Sequence, residues 1–256
     1  MKVGFVQFNP GFRDVSGNVR KMSERVSGVD ADVLVLPELF NTGYAFRKRE
    51  DVKRVAEEVP DGETTKALIS LSKRKDVCIV AGLAEKDGGK LYNSAVVVDK
   101  KFVGVYRKVH LYATEKKLFD RGNEFNVFPV RGIKLGVMIC FDWYFPESMR
   151  TLALAGADLI AHPANLVMPY CPDAMITRCL ENRVWAVTAD RIGREGKISF
   201  IGQSQITSPL GEIIHRASKD EEEVKIIDID ISLSRNKNLN KYNNILEDRK
   251  PSSYKL

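Results

Sequence analysis

The stretch VGFVQFNPGFRDVSGNVRKMSERVSGVDADVLVLP, residues 3–37, decides the fold class. Its two ends, residues 3–8 and 31–37, are short runs rich in Val, Leu and Phe, which is typical of buried strands. Between them, apolar side chains recur at helical spacing, at Val15, Val19, Met22 and Val26. A strand, an amphipathic helix and a second strand in this order predict a βαβ unit.

Strand patterns continue beyond this unit, after two further helical patterns. Residues 77–85, 92–99 and 102–108 are predicted to be three strands, and the short turns between them favour antiparallel neighbours. A polar, aromatic-rich loop over residues 107–126 precedes a predicted strand at 134–140. Because no linker or change of composition interrupts this alternation, we expect one α/β domain over residues 1–256, with mixed rather than purely parallel sheets.

Composition and charge exclude several classes of protein. The 256 residues carry a formal net charge of +6, but the Lys and Arg are scattered and are not interleaved with stacking aromatics, so we expect no nucleic-acid partner. No apolar run reaches the ~20 residues of a membrane span, so no membrane association is expected. The four cysteines form no C-x-x-C pair, and we expect a cytoplasmic location and neither a metal nor a cofactor.

Three chemically capable side chains lie at the C-terminal ends of predicted strands: Glu38, Lys108 and Cys140. Taken singly, the glutamate is better explained as a loop residue, the lysine as a surface residue and the cysteine as a small core residue. Open α/β sheets, however, gather their ligand sites at the C-terminal ends of their strands. The three residues together therefore predict a site.

Acyl transfer from a carbon bonded to nitrogen is the chemistry that uses such a set. The ammonium of Lys108 is expected to lower the pKa of the thiol and to stabilise negative charge on the attacked oxygen. Glu38 is expected to take the thiol proton, pass it to the departing ammonia and then activate water. A sharp turn after Cys140 is expected to present the backbone N–H of Phe141 to the oxyanion.

Six blocks of the sequence resemble the nitrilase superfamily of carbon–nitrogen hydrolases: LVLPELFNTGY, YRKVHLY, GVMICFDWYFPE, RTLALAGADLIAHPAN, ENRVWAVTADRIG and GQSQITSPLGE. The resemblance extends over nearly the whole chain. It implies that Glu38 is the general base, Lys108 the stabilising lysine and Cys140 the nucleophile. Glu115 looks like the second glutamate that the family keeps beside the lysine, and Glu124 is the less favoured candidate for that place.

The same resemblance implies a four-layer αββα sandwich with two mixed β-sheets, and a homodimer or larger homo-oligomer. Similar proteins pair through the helix after the cysteine strand and through an extended tail, so residues 234–256 are expected to make dimer contacts. Asp190 departs from the family, whose members commonly have Asn in this motif.

We expect the substrate to be a small aliphatic amide or carbamoyl amine, which releases ammonia. A nitrilase acting on small aliphatic nitriles is the alternative, and a glutaminase-like module that feeds ammonia to a partner chain is another. A catalytically inactive binding or scaffold protein is the alternative from a different class. Tyr44, Trp143 and Asn165 are the predicted substrate-binding residues.

The histidines are interpreted as structural. His162 is expected to lie at the end of a strand, and His110 is two positions beyond the lysine. A Cys–His pair of the peptidase type is the less favoured alternative.

Overall fold

The computed structural model describes residues 1–254, so the last two positions of the predicted tail, Lys255 and Leu256, lie outside the described residues. Fourteen strands are present in this part: β1 Lys2–Gln7, β2 Val33–Val35, β3 Cys78–Asp87, β4 Lys90–Asp99, β5 Phe102–Arg107, β6 Val127–Val130, β7 Ile133–Val137, β8 Leu159–Pro163, β9 Trp185–Ala189, β10 Arg194–Glu195, β11 Ile198–Ser199, β12 Gln205–Thr207, β13 Ile213–Arg216 and β14 Glu223–Asp228. The seven α-helices are α1 Val15–Arg25, α2 Arg49–Val55, α3 Glu63–Lys75, α4 Glu115–Leu118, α5 Pro146–Leu154, α6 Cys171–Asn182 and α7 Ser232–Arg235. Short 3₁₀ helices cover Cys140–Tyr144 and Pro251–Ser253.

Twelve of the strands form two mixed sheets of six. The order is β14-β1-β2-β3-β4-β5 in the first sheet and β13-β12-β9-β8-β7-β6 in the second. In each sheet three neighbours are parallel, β1, β2 and β3 in the first and β7, β8 and β9 in the second, and the other pairs are antiparallel. The predicted βαβ unit and the predicted antiparallel run from β3 to β5 are both confirmed.

Alternating side chains of the first sheet enter two different cores, as the period of a strand requires. Val33 and Val35 of β2 pack in the central core, with side chains of the second sheet such as Leu159. Leu34 and Leu36 point the other way and pack with residues of α1 and α3. Helices α5 and α6 cover the far side of the second sheet. The layers therefore run helix, sheet, sheet, helix, and the predicted αββα sandwich is confirmed.

Some predicted elements are shorter than the sequence pattern. The first of the two helical patterns, REDVKRVAEEV over residues 49–59, forms a helix only as far as Val55, and Ala56 continues in extended conformation. The loop over 107–126 contains the single-turn helix α4. In the tail, an isolated bridge joins Asn238 to Asn244. Within residues 1–254, no helix combines the length and apolar character needed to cross a bilayer.

Candidate active site

Glu38 lies just beyond the C-terminal end of β2. The backbone after β2 stays paired with β3, because Leu36 N donates to Val80 O at 2.8 Å and Phe40 N donates to Gly82 O at 2.9 Å. A Cβ at Gly82 would lie 2.5 Å from Glu38 Cα, so this close approach requires glycine. The sequence thus places a carboxylate inside the protein, where its side chain is fully buried.

Lys108 is the first residue beyond β5, and its side chain is also fully buried. Its Nζ lies 2.6 Å from Glu38 Oε1, and it lies 3.0 Å and 2.9 Å from Glu115 Oε1 and Oε2. Asn93 of β4 donates from Nδ2 to Glu38 Oε1 at 2.6 Å. An ammonium between two carboxylates is thereby shielded from water, which strengthens each charge interaction.

Burial favours the neutral forms of Glu38 and Lys108, whereas the attraction between their opposite charges favours the charged forms. Burial raises the pKa of Glu38 to about 7, although Lys108 and the Asn93 amide favour its charged form. Burial acts to lower the pKa of Lys108, but Glu115 and Glu38 outweigh it and hold that pKa well above its ordinary value. The lysine is therefore a permanent cation, whereas Glu38 exchanges a proton near neutrality.

Cys140 ends the segment after β7 in a strained turn. Its φ is +40°, a left-handed value that non-glycine residues rarely adopt. Asp142 stabilises the turn, because its Oδ2 accepts from Ile139 N at 2.8 Å and from the Tyr106 hydroxyl at 2.6 Å. The thiol Sγ lies 3.7 Å from the carbonyl oxygen of Asn165.

The charge balance at the thiol differs from the sequence prediction. Burial and the Glu38 carboxylate raise the pKa of Cys140 well above its ordinary value. Lys108 acts in the predicted direction and lowers this pKa, but it does not outweigh the other two causes. The resting thiol is therefore protonated, and attack requires a base to take that proton.

Glu115, in the first turn of α4, is held by groups from several segments. Its Oε1 accepts from the Tyr44 hydroxyl at 2.6 Å, and its Oε2 accepts from Tyr112 N at 3.2 Å. Glu124 is exposed and its Oε1 accepts only from Asn126 Nδ2, at 3.1 Å, among the described residues. Of the two candidate glutamates, Glu115 is the one beside Lys108.

A buried ion pair supports the segment that carries Tyr44. Glu195 Oε2 accepts from Tyr44 N at 2.9 Å and from Ala45 N at 2.7 Å, and its Oε1 pairs with the guanidinium of Arg191. The Arg191 side chain is fully buried and stacks over Phe200, with its Cζ 4.1 Å from the ring centroid. Glu195 of β10 thus holds the backbone of Tyr44, whose hydroxyl donates to Glu115.

The space beside Cys140 is narrow and mostly apolar. It has a volume of about 10 Å³, enough for about one water molecule, and it is lined by Tyr112, Cys140, Phe141, Trp143, Asn165, Leu166, Val167 and Met168. Of the predicted substrate-binding residues, Trp143 and Asn165 line this space, whereas Tyr44 lines a neighbouring cleft of about 810 Å³.

Other parts of the surface are more open but lack this chemistry. The cleft beside the β3–β4 turn, for example, has a volume of about 720 Å³ and is lined by charged side chains such as Arg49 and Lys86. Cys140 does not line it. The volume of a cleft therefore does not identify the site, whereas the buried charges of Glu38, Lys108 and Glu115 do.

Neither histidine named in the sequence is bonded to the thiol. His110 Nδ1 lies 2.8 Å from Asp142 Oδ1, and His162 Nε2 lies 2.9 Å from the carbonyl oxygen of Cys140. The predicted structural role of these residues fits their contacts, and the alternative Cys–His pair is not formed.

Several residues of the site were missed from the sequence, notably Asn93, Asp142 and Glu195. Asn93 is a polar residue within a strand of β-branched residues, YNSAVVV, and that contrast is a usable signal. Asp142 and Glu195 act through backbone N–H groups, one near and one distant in sequence. No local pattern marks such a contact.

The chain is similar to known proteins over most of its length. A family model described as carbon-nitrogen hydrolase matches residues 2–237. The chain is 52% identical over 259 residues to a nitrilase of Pyrococcus abyssi (strain GE5 / Orsay), a match that covers 99% of each chain. It is 32% identical over 228 residues to an (R)-stereoselective amidase of Pseudomonas sp, covering 86% of this chain and 82% of that one. The crystal structure of Saccharomyces cerevisiae Nit3, a member of branch 10 of the nitrilase superfamily, aligns with a TM-score of 0.84 at 22% identity, covering 92% of each chain.

Proposed function

The chain belongs to the carbon–nitrogen hydrolase family, the nitrilase superfamily, and from this premise we propose that it hydrolyses a small aliphatic amide through a thioester on Cys140. The observation that carries the proposal is the buried ammonium of Lys108 between Glu38 and Glu115. Burying three charges is costly, and a cluster whose charges also act on a cysteine thiol is the arrangement that acyl transfer needs.

In the first step Glu38 takes the proton of the Cys140 thiol. The thiol is protonated at rest because its pKa is raised, whereas the pKa of Glu38, about 7, suits a base near neutral pH. The thiolate attacks the amide carbon and forms a carbon–sulfur bond. Negative charge then develops on the amide oxygen, where the ammonium of Lys108 and the backbone N–H of Phe141 stabilise it.

In the second step the tetrahedral intermediate collapses. Glu38 returns its proton to the amide nitrogen, the carbon–nitrogen bond breaks, and ammonia leaves a thioester on Cys140. Glu38 then takes a proton from water, and the hydroxide attacks the thioester. The carbon–sulfur bond breaks, the acid leaves, and Glu38 returns the proton to the Cys140 sulfur. One amide and one water thus give one acid and one ammonia. Glu115 keeps Lys108 charged and in place.

Two buried acceptors favour an amide over a nitrile. Within residues 1–254, Glu38 Oε2 and both side-chain polar atoms of Asn165 are buried without a hydrogen-bond partner. A primary amide has two N–H donors and a carbonyl acceptor, whereas a nitrile has no donor. Because an unpaired buried acceptor is costly, we propose that Asn165 binds the carboxamide of the substrate, against the apolar wall that includes Trp143.

A nitrilase is the second candidate. It is favoured by the 52% identity to the Pyrococcus abyssi protein that is named a nitrilase. With a nitrile, the thiolate adds to the carbon–nitrogen triple bond and forms a thioimidate. Water then adds to it, and loss of ammonia gives the same thioester, so Glu38, Lys108 and Cys140 keep their roles.

The chain is also proposed to form a homodimer. Large apolar side chains are exposed on the two helices that cover the second sheet and in the tail, including Leu154, Leu180, Leu239 and Tyr242. Sedimentation analysis should give a dimer for the full chain. Removal of residues 238–256 should shift it towards monomer, and a monomeric full chain would contradict this assembly.

The activity is tested by ammonia release from a panel of small amides, carbamoyl amines and nitriles, in which each amide is paired with the nitrile of the same carbon skeleton. The unmodified chain should release ammonia, and Cys140→Ala should not. Cys179→Ala is the matched control, since Cys179 is a buried cysteine of α6 and should retain activity. The preferred member of each pair decides between amidase and nitrilase. No release from any pair would favour the binding or scaffold protein.

A further inference from the structure

The peptide group that joins Cys140 to Phe141 is held by a side chain that the proposed mechanism does not use. His162 of β8 is fully buried, and its Nε2 lies 2.9 Å from the carbonyl oxygen of Cys140. Its Nδ1 lies 3.1 Å from the hydroxyl oxygen of Thr188. His162 and Thr188 are direct partners in the parallel pairing of β8 with β9, so the sheet itself brings the two side chains together.

These contacts fix where the imidazole carries its proton. A carbonyl oxygen only accepts hydrogen bonds, so Nε2 of His162 must be the N–H that donates to Cys140. Nδ1 then has a lone pair and accepts from the Thr188 hydroxyl. Burial also lowers the pKa of His162 to about 4, so the ring is neutral at working pH. The ring is therefore a donor of fixed direction and is not a base for the thiol.

The direction of this hydrogen bond matters because a peptide group is planar and trans. The C=O of Cys140 and the N–H of Phe141 belong to one plane and point in opposite directions. Holding the oxygen towards His162 therefore turns the N–H of Phe141 the other way. A donor on the C=O also polarises the peptide group and makes its N–H a stronger donor.

The turn at Cys140 is held by Asp142 on one side and by His162 on the other. Cys140 has a φ of +40°, and a non-glycine residue in this region persists only where its surroundings enforce it. The hydrogen bond from His162 acts on the carbonyl of that same residue.

From this geometry we infer that His162, held by Thr188, is a positioning residue that orients the peptide N–H of Phe141 towards the oxyanion. The inference rests on the proposed function, which assigns the oxyanion to that N–H. The His162 ring bonds to the Thr188 hydroxyl and to the Cys140 carbonyl oxygen rather than to the sulfur atom, and the proposed mechanism gives it no contact with the substrate.

The test compares a reaction that forms an oxyanion with one that does not. Amide turnover forms it, whereas alkylation of the Cys140 thiol by iodomethane, which has no carbonyl group, displaces iodide and forms none. His162→Leu should lower kcat about 10- to 100-fold, somewhat less than the loss of an oxyanion donor itself. KM and the alkylation rate should stay at their unmodified values.

Conservative variants separate orientation from folding. His162→Gln keeps an N–H₂ donor for the Cys140 carbonyl and should recover most of kcat. Thr188→Val removes the hydroxyl that donates to Nδ1 and holds the ring in place, so it should lower kcat, whereas Thr188→Ser should not. Thermal unfolding of each variant identifies losses that come from the fold alone.

Several results would overturn the inference. One is an unchanged kcat in both His162→Leu and Thr188→Val. Another is a loss of alkylation equal to the loss of turnover, which would mean that His162 acts on the sulfur position. The ¹⁵N chemical shifts of the His162 ring test the tautomer without any turnover: the Nε2–H form supports the inference and the Nδ1–H form contradicts it. Absence of turnover in the unmodified chain would instead count against the proposed function.

Discussion

Asn93 should lower the pH at which the enzyme becomes active. Its Nδ2 donates to Glu38 Oε1 at 2.6 Å, and this hydrogen bond favours the charged carboxylate. Glu38 must be deprotonated to act as the base, so kcat/KM is expected to rise with pH through about 7, the pKa of this carboxyl. Asn93→Ala removes a donor to the charged form, so the pKa of Glu38 rises and the acid limb moves to higher pH.

The size of the shift follows from the strength of the lost hydrogen bond. Hydrogen bonds to charged groups contribute about 1.5–3 kcal/mol, and one pH unit corresponds to about 1.4 kcal/mol. The acid limb of Asn93→Ala should therefore move up by roughly one to two pH units, less whatever a water in the vacated space recovers. Lys108 remains on the same oxygen and limits the shift.

The assay is the pH dependence of kcat/KM, with Ser94→Ala as the control. Ser94 is the next residue of β4, and its hydroxyl donates at 2.6 Å to a different buried carboxylate, Glu85. Ser94→Ala should lose stability but keep the acid limb of the unmodified enzyme. An acid limb that stays in place in Asn93→Ala as well would contradict this assignment, because the limb would then not report the ionisation of Glu38.

Three further substitutions test the support of the site. Gly82→Ala places a Cβ 2.7 Å from the backbone nitrogen of Leu39, the residue after Glu38. It should lower the free energy of unfolding in urea by about 2 kcal/mol and reduce kcat. Gly28→Ala, whose added Cβ has no atom within 4 Å, is the control and should change neither quantity. Glu195→Ala leaves the Arg191 guanidinium buried without its carboxylate and should lower the free energy of unfolding by about 3 kcal/mol, and an unchanged urea midpoint would contradict this. Burial raises the pKa of Asp190 well above 3.8, so the folded state holds that proton more tightly than the unfolded state and loses stability as pH rises from about 4 through the raised pKa. Asp190→Asn does not titrate, so its stability relative to the unmodified chain should increase with pH, and a pH-independent difference in unfolding free energy would count against the raised pKa.

Much of the fold was predictable because its signals are local. The alternation of strand and helix periods indicated an α/β domain with mixed sheets, and the family resemblance implied the four-layer sandwich. Glutamate, lysine and cysteine each stand just after an apolar run. Glu38 and Lys108 follow β2 and β5 of the first sheet, whereas Cys140 follows β7 of the second. The strand-end argument therefore predicted a site, but the packing of one sheet on the other brings the cysteine to it.

The supporting contacts and the charge balance were not predictable in the same way. The thiol pKa depends on how much water is excluded and on the separate distances to a cation and two carboxylates, and these are tertiary quantities. His162 illustrates the same limit. A histidine in an apolar strand looks structural, and its contact with the carbonyl of Cys140 depends on the strand register and on the left-handed turn.

The covalent intermediate is the most direct test of the account. The enzyme is mixed with its preferred amide, quenched in acid during turnover and weighed as an intact protein. We predict an adduct whose mass equals that of the substrate minus ammonia, mapped by peptide fragmentation to Cys140 and absent from Cys140→Ala. Turnover with no adduct at any quench time, and with activity retained by Cys140→Ala, would contradict nucleophilic catalysis by this cysteine.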